Sequence, residues 1–184
     1  MASGVEAMDE GAPYAIERSA CYLIKEKKPD NAYRLFSMLT RTLPGLVITR
    51  QHPEKVRRER GVTCRVVWLS HTLGEDFHNP TALGALAKLI SNFIDENHGE
   101  AVVLLDGLEY IAVNNGFLTN TLMFVEHVNE FVMQRASVIL IPVDPAALEE
   151  KELALLERNV QVLDGVEIRT ELDIREVTRL LESY

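Results

Sequence analysis

Apolar residues fall into two rhythms along the chain. Short runs rich in Val, Ile and Leu, at residues 20–24, 46–49, 62–69, 101–105 and 137–142, lie between polar or Gly/Pro-containing segments. Runs of that length without a polar face read as strands buried on both sides, as in a parallel sheet covered by helices. Elsewhere apolar positions recur every three or four residues, the spacing of one helix face. Ala32, Leu35, Phe36 and Leu39 form one such face, and Leu83, Leu86, Ile90, Phe93 and Ile94 another. Residues 117–135 are apolar around much of their girth, which predicts a helix buried on two sides or facing a partner. Asp30 stands where it would cap the first helix, and His52-Pro53 opens a short one that Gly61 closes. Asp144-Pro145 begins a further helix, running to residue 158. This alternation predicts a three-layer α/β/α domain with a mainly parallel sheet.

The pattern weakens toward the ends. Residues 1–13 are small and acidic and read as a flexible tail, and residues 14–18 as a short edge strand. Residues 70–80 are a polar connector, and Asn114-Asn115-Gly116 is a turn. Residues 159–163 and 166–168 read as closing strands in a hairpin about Asp164-Gly165. A single α/β domain thus spans 14–169. In residues 170–184, Ile174, Val177, Leu181 and Tyr184 line an amphipathic helix packed on the domain or on a partner.

A length of 184 residues suits one domain with a sizeable core. No apolar run approaches the roughly 20 residues of a membrane span. The acidic N-terminus lacks the basic-then-apolar order of a secretory signal, so the expected setting is cytoplasmic, without a membrane partner. Cys21 and Cys64 lie in apolar runs and read as small hydrophobes. A net charge of −9 disfavours nucleic acid as a partner. One stretch opposes that balance: Arg50, Lys55, Arg57, Arg58, Arg60 and Arg65 meet only Glu54 and Glu59. It reads either as a solvated helix face or as a strip that docks a phosphate or an acidic surface. Lys55, Arg57 and Arg58 are accordingly candidate interaction residues, with Phe117 from the apolar helix and Val177, Leu181 and Tyr184 from the terminal one. The expected partner is a protein, either a different one or a second copy of this chain.

The apolar run 101–105 stops abruptly at Asp106-Gly107, which places a carboxylate at the carboxyl end of a buried strand, where ligands of parallel sheets collect. Asp106 and Glu109 read either as a metal or general-base pair or as groups that hold the loop after the strand. Lys27, Lys28, Arg50 and Asp144 are predicted at the same edge and complete the candidate ligand-binding set. A phosphate loop needs glycines, a lysine and a hydroxyl in the first strand-to-helix connection. Residues 24–33 contain no glycine there, and Pro29 removes an amide donor. His71 and His78 fit no strong metal motif, and no nucleophile elbow or zinc-protease motif occurs. The sequence thus names no catalytic residue, no metal site and no cofactor.

The ordered series Cys21-Tyr-Leu-Ile-Lys-Glu26, Gly45-Leu-Val-Ile-Thr-Arg50-Gln-His-Pro53, Val67-Trp-Leu69, Val103-Leu-Leu-Asp-Gly-Leu-Glu-Tyr110, Asn114-Asn-Gly-Phe117 and Ile141-Pro-Val-Asp-Pro145 resembles the archaeal domain of unknown function 835 across residues 14–162. The resemblance implies an archaeal cytosolic protein in the company of signalling modules, and no activity. More distantly, the strand plan is similar to RecA-like ATPases of the KaiC type, with Asp106 at the acid-strand position and the phosphate loop degenerate. Two functions are expected: a non-catalytic regulatory or interaction module, or a small-molecule or nucleotide binder, with or without enzymatic activity, using the edge around Asp106.

Overall fold

In a computed structural model, residues 16–169 are described, together with Asp173 and Glu182. Seven strands, β1 (Ala20–Lys25), β2 (Gly45–Thr49), β3 (Arg65–Leu69), β4 (Phe77–His78), β5 (Val102–Asp106), β6 (Val138–Val143) and β7 (Gln161–Asp164), form one sheet in the order β4-β3-β2-β5-β6-β1-β7. Every pairing is parallel. The helices are α1 (Asp30–Leu39), α2 (Pro53–Arg60), α3 (Leu83–Glu96), α4 (Leu108–Asn115), α5 (Leu122–Met133) and α6 (Glu150–Asn159).

The two-residue period of the strands divides the core cleanly. Leu46, Ile48, Val103, Leu105, Ile139 and Ile141 point to one side, into a cluster built with α3, α4, α5 and α6. Val47, Val66, Val102, Leu104, Val138 and Leu140 point to the other, into a cluster with α1, α2 and Ile168. β5 and β6 run through the middle of the sheet and are buried on both faces, which is why they read as unbroken apolar runs.

Several expectations change. Ile16 and Glu17 belong to no strand, and the sheet edge beside β1 is occupied by β7 instead. No hairpin forms about Asp164-Gly165; β7 runs parallel to β1 and residues 165–169 are helical. The connector 70–80 contains β4, and Asn114 and Asn115, expected in a turn, are the last residues of a separate helix, α4. Those two asparagines end α4 by donating back to the carbonyls of Tyr110 and Ile111, at 2.8 Å each. Asp144 caps only the short 3-10 turn Pro145–Ala147, and α6 starts afresh at a capping box between Glu149 and Glu152.

The apolar segment 117–135 is a π-helical turn, Phe117–Thr121, followed by α5. Part of its apolar girth goes to neighbours in the same chain, while Leu118, Met123 and Met133 stay exposed. α5 packs against both α3 and α6, Arg135 pairs with Asp95 of α3 at 2.9 Å, and Asn129 donates to the Asn159 carbonyl of α6 at 2.8 Å. Phe117, expected on an interaction surface, is 6% exposed and belongs to the protein's own core. Val177, Leu181 and Tyr184 lie outside the described residues.

Candidate functional site

Parallel strands deliver all their carboxyl ends to one edge, and the candidate residues follow from that. β1 ends in Lys25 and leads to Glu26, Lys27 and Lys28; β2 ends at Thr49; β5 ends at Asp106; β6 ends at Val143, just before Asp144. Gly107 follows Asp106 with φ 153° and ψ 24°. A Cβ there would stand 3.1 Å from Leu69 Cδ1, so glycine lets the chain turn tightly against β3 and start α4.

Asp106 is held by hydroxyls. Its Oδ2 accepts from Tyr33 of α1 at 3.0 Å and from Thr49 of β2 at 3.2 Å. Burial raises the Asp106 carboxyl above its ordinary value, while the two hydroxyls and the nearby Arg60 pull it back down. Tyr33 is itself pushed well up by burial and by the Asp106 charge, so its phenol stays protonated and donates. The network continues outward: the Arg60 guanidinium lies over the Tyr33 ring, 5.0 Å from its centroid, and pairs with Asp30.

The other candidates are placed around this core but not joined to it. Glu109 turns toward β6, where its Oε1 accepts from the Asp144 amide at 2.8 Å; burial raises this carboxyl too. The Asp144 carboxylate is engaged with the Ala146 amide at 2.9 Å. Arg50 is tied to β5 only by its backbone, and its guanidinium lies over the Tyr110 ring, 4.3 Å from the centroid. Lys27 and Lys28 are exposed and make no ion pair among the described residues. Among those residues no group of three or more His, Cys, Asp or Glu side chains is arranged to hold a metal.

The residue that decides the chemistry of this edge is Glu26, which sequence reading passed over. Asp30 was expected to cap α1; it is instead the first helical residue, and the capping position falls to Pro29. Glu26 reaches back under the helix, its Oε1 accepting from Ala32 N at 2.9 Å and its Oε2 from Asn31 N at 3.1 Å. The Asp30 amide is taken by the Lys28 carbonyl at 2.8 Å, and Pro29 has no N–H. Every free amide in the first turn of α1 therefore has a partner inside the protein. Gly165 closes the arrangement from the far side: its carbonyl accepts from Asn31 Nδ2 at 2.9 Å, and a Cβ on it would stand 2.8 Å from that of Glu26. The available signal was an acid at the end of β1; that it folds back onto α1 depends on the turn at Pro29, which residue spacing does not reveal.

Fold and site together define a RecA-like α/β domain with its phosphate-loop position closed. Solved structures with the same fold include a KaiC-like protein of the hyperthermophilic archaeon Pyrococcus horikoshii OT3, with a TM-score of 0.60 at 12% identity over 86% of this chain and 81% of that one. The flagellar accessory protein FlaH of Methanocaldococcus jannaschii matches with a TM-score of 0.56 at 11% identity, over 89% of this chain and 78% of that one. At such identities the likeness is one of fold. The chain belongs to the family described as Protein of unknown function (DUF835), whose model matches residues 25–160. No curated protein matches the sequence. Among the described residues no helix is long and apolar enough to cross a membrane.

Proposed function

We propose that this domain is a non-catalytic regulatory or protein-interaction module, built on a RecA-like fold whose nucleotide edge is filled by its own side chains. The setting we propose for it is an archaeal cytoplasm, alongside signalling proteins. One observation carries the reading: the first-turn amides of α1, which in a phosphate-binding loop would face the ligand, are taken by the Glu26 carboxylate and the Lys28 carbonyl. A bound phosphate would have to displace a tethered anion and then sit beside its charge. The alternative, a nucleotide or other small molecule bound, and even turned over, at the edge around Asp106, is disfavoured because that carboxylate already accepts from Tyr33 and Thr49.

The test is calorimetric titration with magnesium-ATP together with a phosphate-release assay. The expected result is no turnover and binding that is millimolar at best. Tight binding abolished by Asp106→Ala, or measurable turnover, overturns the reading.

A further inference from the structure

Charge on this molecule is unevenly distributed along the chain. Of its 19 basic and 28 acidic residues, 11 basic and only 4 acidic ones lie between Lys25 and Arg65, leaving 8 against 24 in the rest of the chain. That basic segment contains α1 and α2, which cover one face of the sheet together with residues 165–169. The helices meet where Arg60, the last residue of α2, pairs with Asp30, the first of α1. The Lys27-Lys28 loop thus lies beside the end of α2, with Lys55 about 7.5 Å back along the same helix axis. Lys27, Lys28 and Lys55 are exposed and make no ion pair among the described residues, although the chain as a whole has a large excess of acids. Among the described residues Arg57 and Arg58 pair only with Glu54 and Glu59 of their own short helix. Ion pairs this exposed are weakly held and exchange readily for an incoming carboxylate.

We propose that the α1–α2 face docks an acidic segment of a partner protein, with Lys27, Lys28 and Lys55 as the principal contacts. The proposal rests on the reading of the domain as an interaction module and names the chemistry of its partner. Two features favour a protein segment over a nucleic acid. Glu54, Glu59 and Asp30 are interleaved with the cations, which repels a uniformly charged phosphate backbone but suits a protein surface of mixed sign. An extended polyanion would also face the remaining acidic surface, whereas a short segment meets only the patch, since charges beyond about 8 Å are screened at physiological salt.

Fluorescence anisotropy with a labelled poly-glutamate peptide of about twelve residues, against a thymidine oligonucleotide of similar charge, tests this at about 0.15 M salt. The peptide should bind more tightly than the oligonucleotide. The triple variant Lys27→Glu/Lys28→Glu/Lys55→Glu should lose at least about tenfold in peptide affinity, and Lys88→Glu/Lys151→Glu on the opposite layer less than about twofold. These are exposed side chains, so a matching thermal unfolding midpoint confirms that the variants are folded. Absence of peptide binding, equal losses in the two variants, or tighter binding of the oligonucleotide overturns the proposal. Magnesium-ATP titrations on the same proteins separate the two readings: tight ATP binding defeats the non-catalytic module, whereas failed peptide binding with ATP still unbound defeats only the docking face.

Discussion

At the scale of single residues, Asp106 shows how a carboxylate in a ligand-binding position becomes a structural one. It is half-buried at the end of β5, and its charged form is favoured by the two hydroxyls that point at it and by the nearby Arg60. Removing the Tyr33 hydroxyl leaves a half-buried carboxylate with one donor fewer, so Tyr33→Phe is expected to lower stability by about 1–3 kcal/mol in urea denaturation at pH 7. A loss below about 0.5 kcal/mol would mean that water replaces the phenol and that the site is open. The sign of the pH dependence is unusual for a carboxyl. Burial raises Asp106 above its ordinary value, as it does Glu26 and Glu109. Between the ordinary carboxyl value, about 4, and these raised values the folded chain holds more protons than the unfolded one, so stability falls as pH rises. Asp106→Asn cannot ionise and should flatten that fall in a series of thermal melts. An unchanged slope would assign the effect to Glu26 and Glu109 alone.

Among the elements, α1 and α4 mark the limit of what the chain makes legible. Strands β2, β5 and β6 and the inner faces of α1 and α3 were readable because burial on a sheet imposes a period that survives in composition. α4 was not, because it sits at the sheet's carboxyl edge with only Leu108 and Ile111 fully buried, too few to set a period over eight residues. The hairpin expected about Asp164-Gly165 failed for a related reason. Gly165 is a glycine because it packs on Glu26, not because a tight turn needs one. Of the candidate site, Asp106 and Glu109 were visible as an acid pair closing a strand, but their hydroxyl and amide partners come from α1, β2 and β6, far away in sequence. Glu26→Ala tests the piece that was missed. Without its carboxylate two first-turn amides lose their acceptor, which should reduce stability by about 0.5–2 kcal/mol. Hydrogen exchange should speed up at Asn31 and Ala32 while the amides of α5 keep their protection. Uniform acceleration would show instead that α1 opens only with the whole domain.

For the molecule as a whole, the unresolved question in the sequence was what lies against the α1 side once the sheet is complete. β7 pairs only with β1, through four residues, and exposes most of its side chains, so it is a weak closing edge on its own. Among the described residues two anchors follow it. Ile168 is fully buried in the cluster beneath α1 and α2, and Asp173 pairs with Arg34 of α1 at 2.9 Å with both side chains more than a third exposed. These anchors differ in kind, and their magnitudes decide which one holds. Truncating a fully buried isoleucine forfeits its transfer free energy and leaves a cavity, about 2–5 kcal/mol. An exposed ion pair contributes about 0–1 kcal/mol and is screened by salt. Ile168→Ala is therefore expected to lower the unfolding midpoint by several degrees at any ionic strength, since about 1 kcal/mol corresponds to roughly 2–4 °C in a chain of this size. Asp173→Ala should shift it by no more than about 4 °C, and by less still in high salt. If the two substitutions prove equal, or if the larger effect belongs to Asp173, then the segment after β7 is held to α1 by charge rather than by burial. The layer beneath α1 would in that case be closed by a contact that salt alone could release.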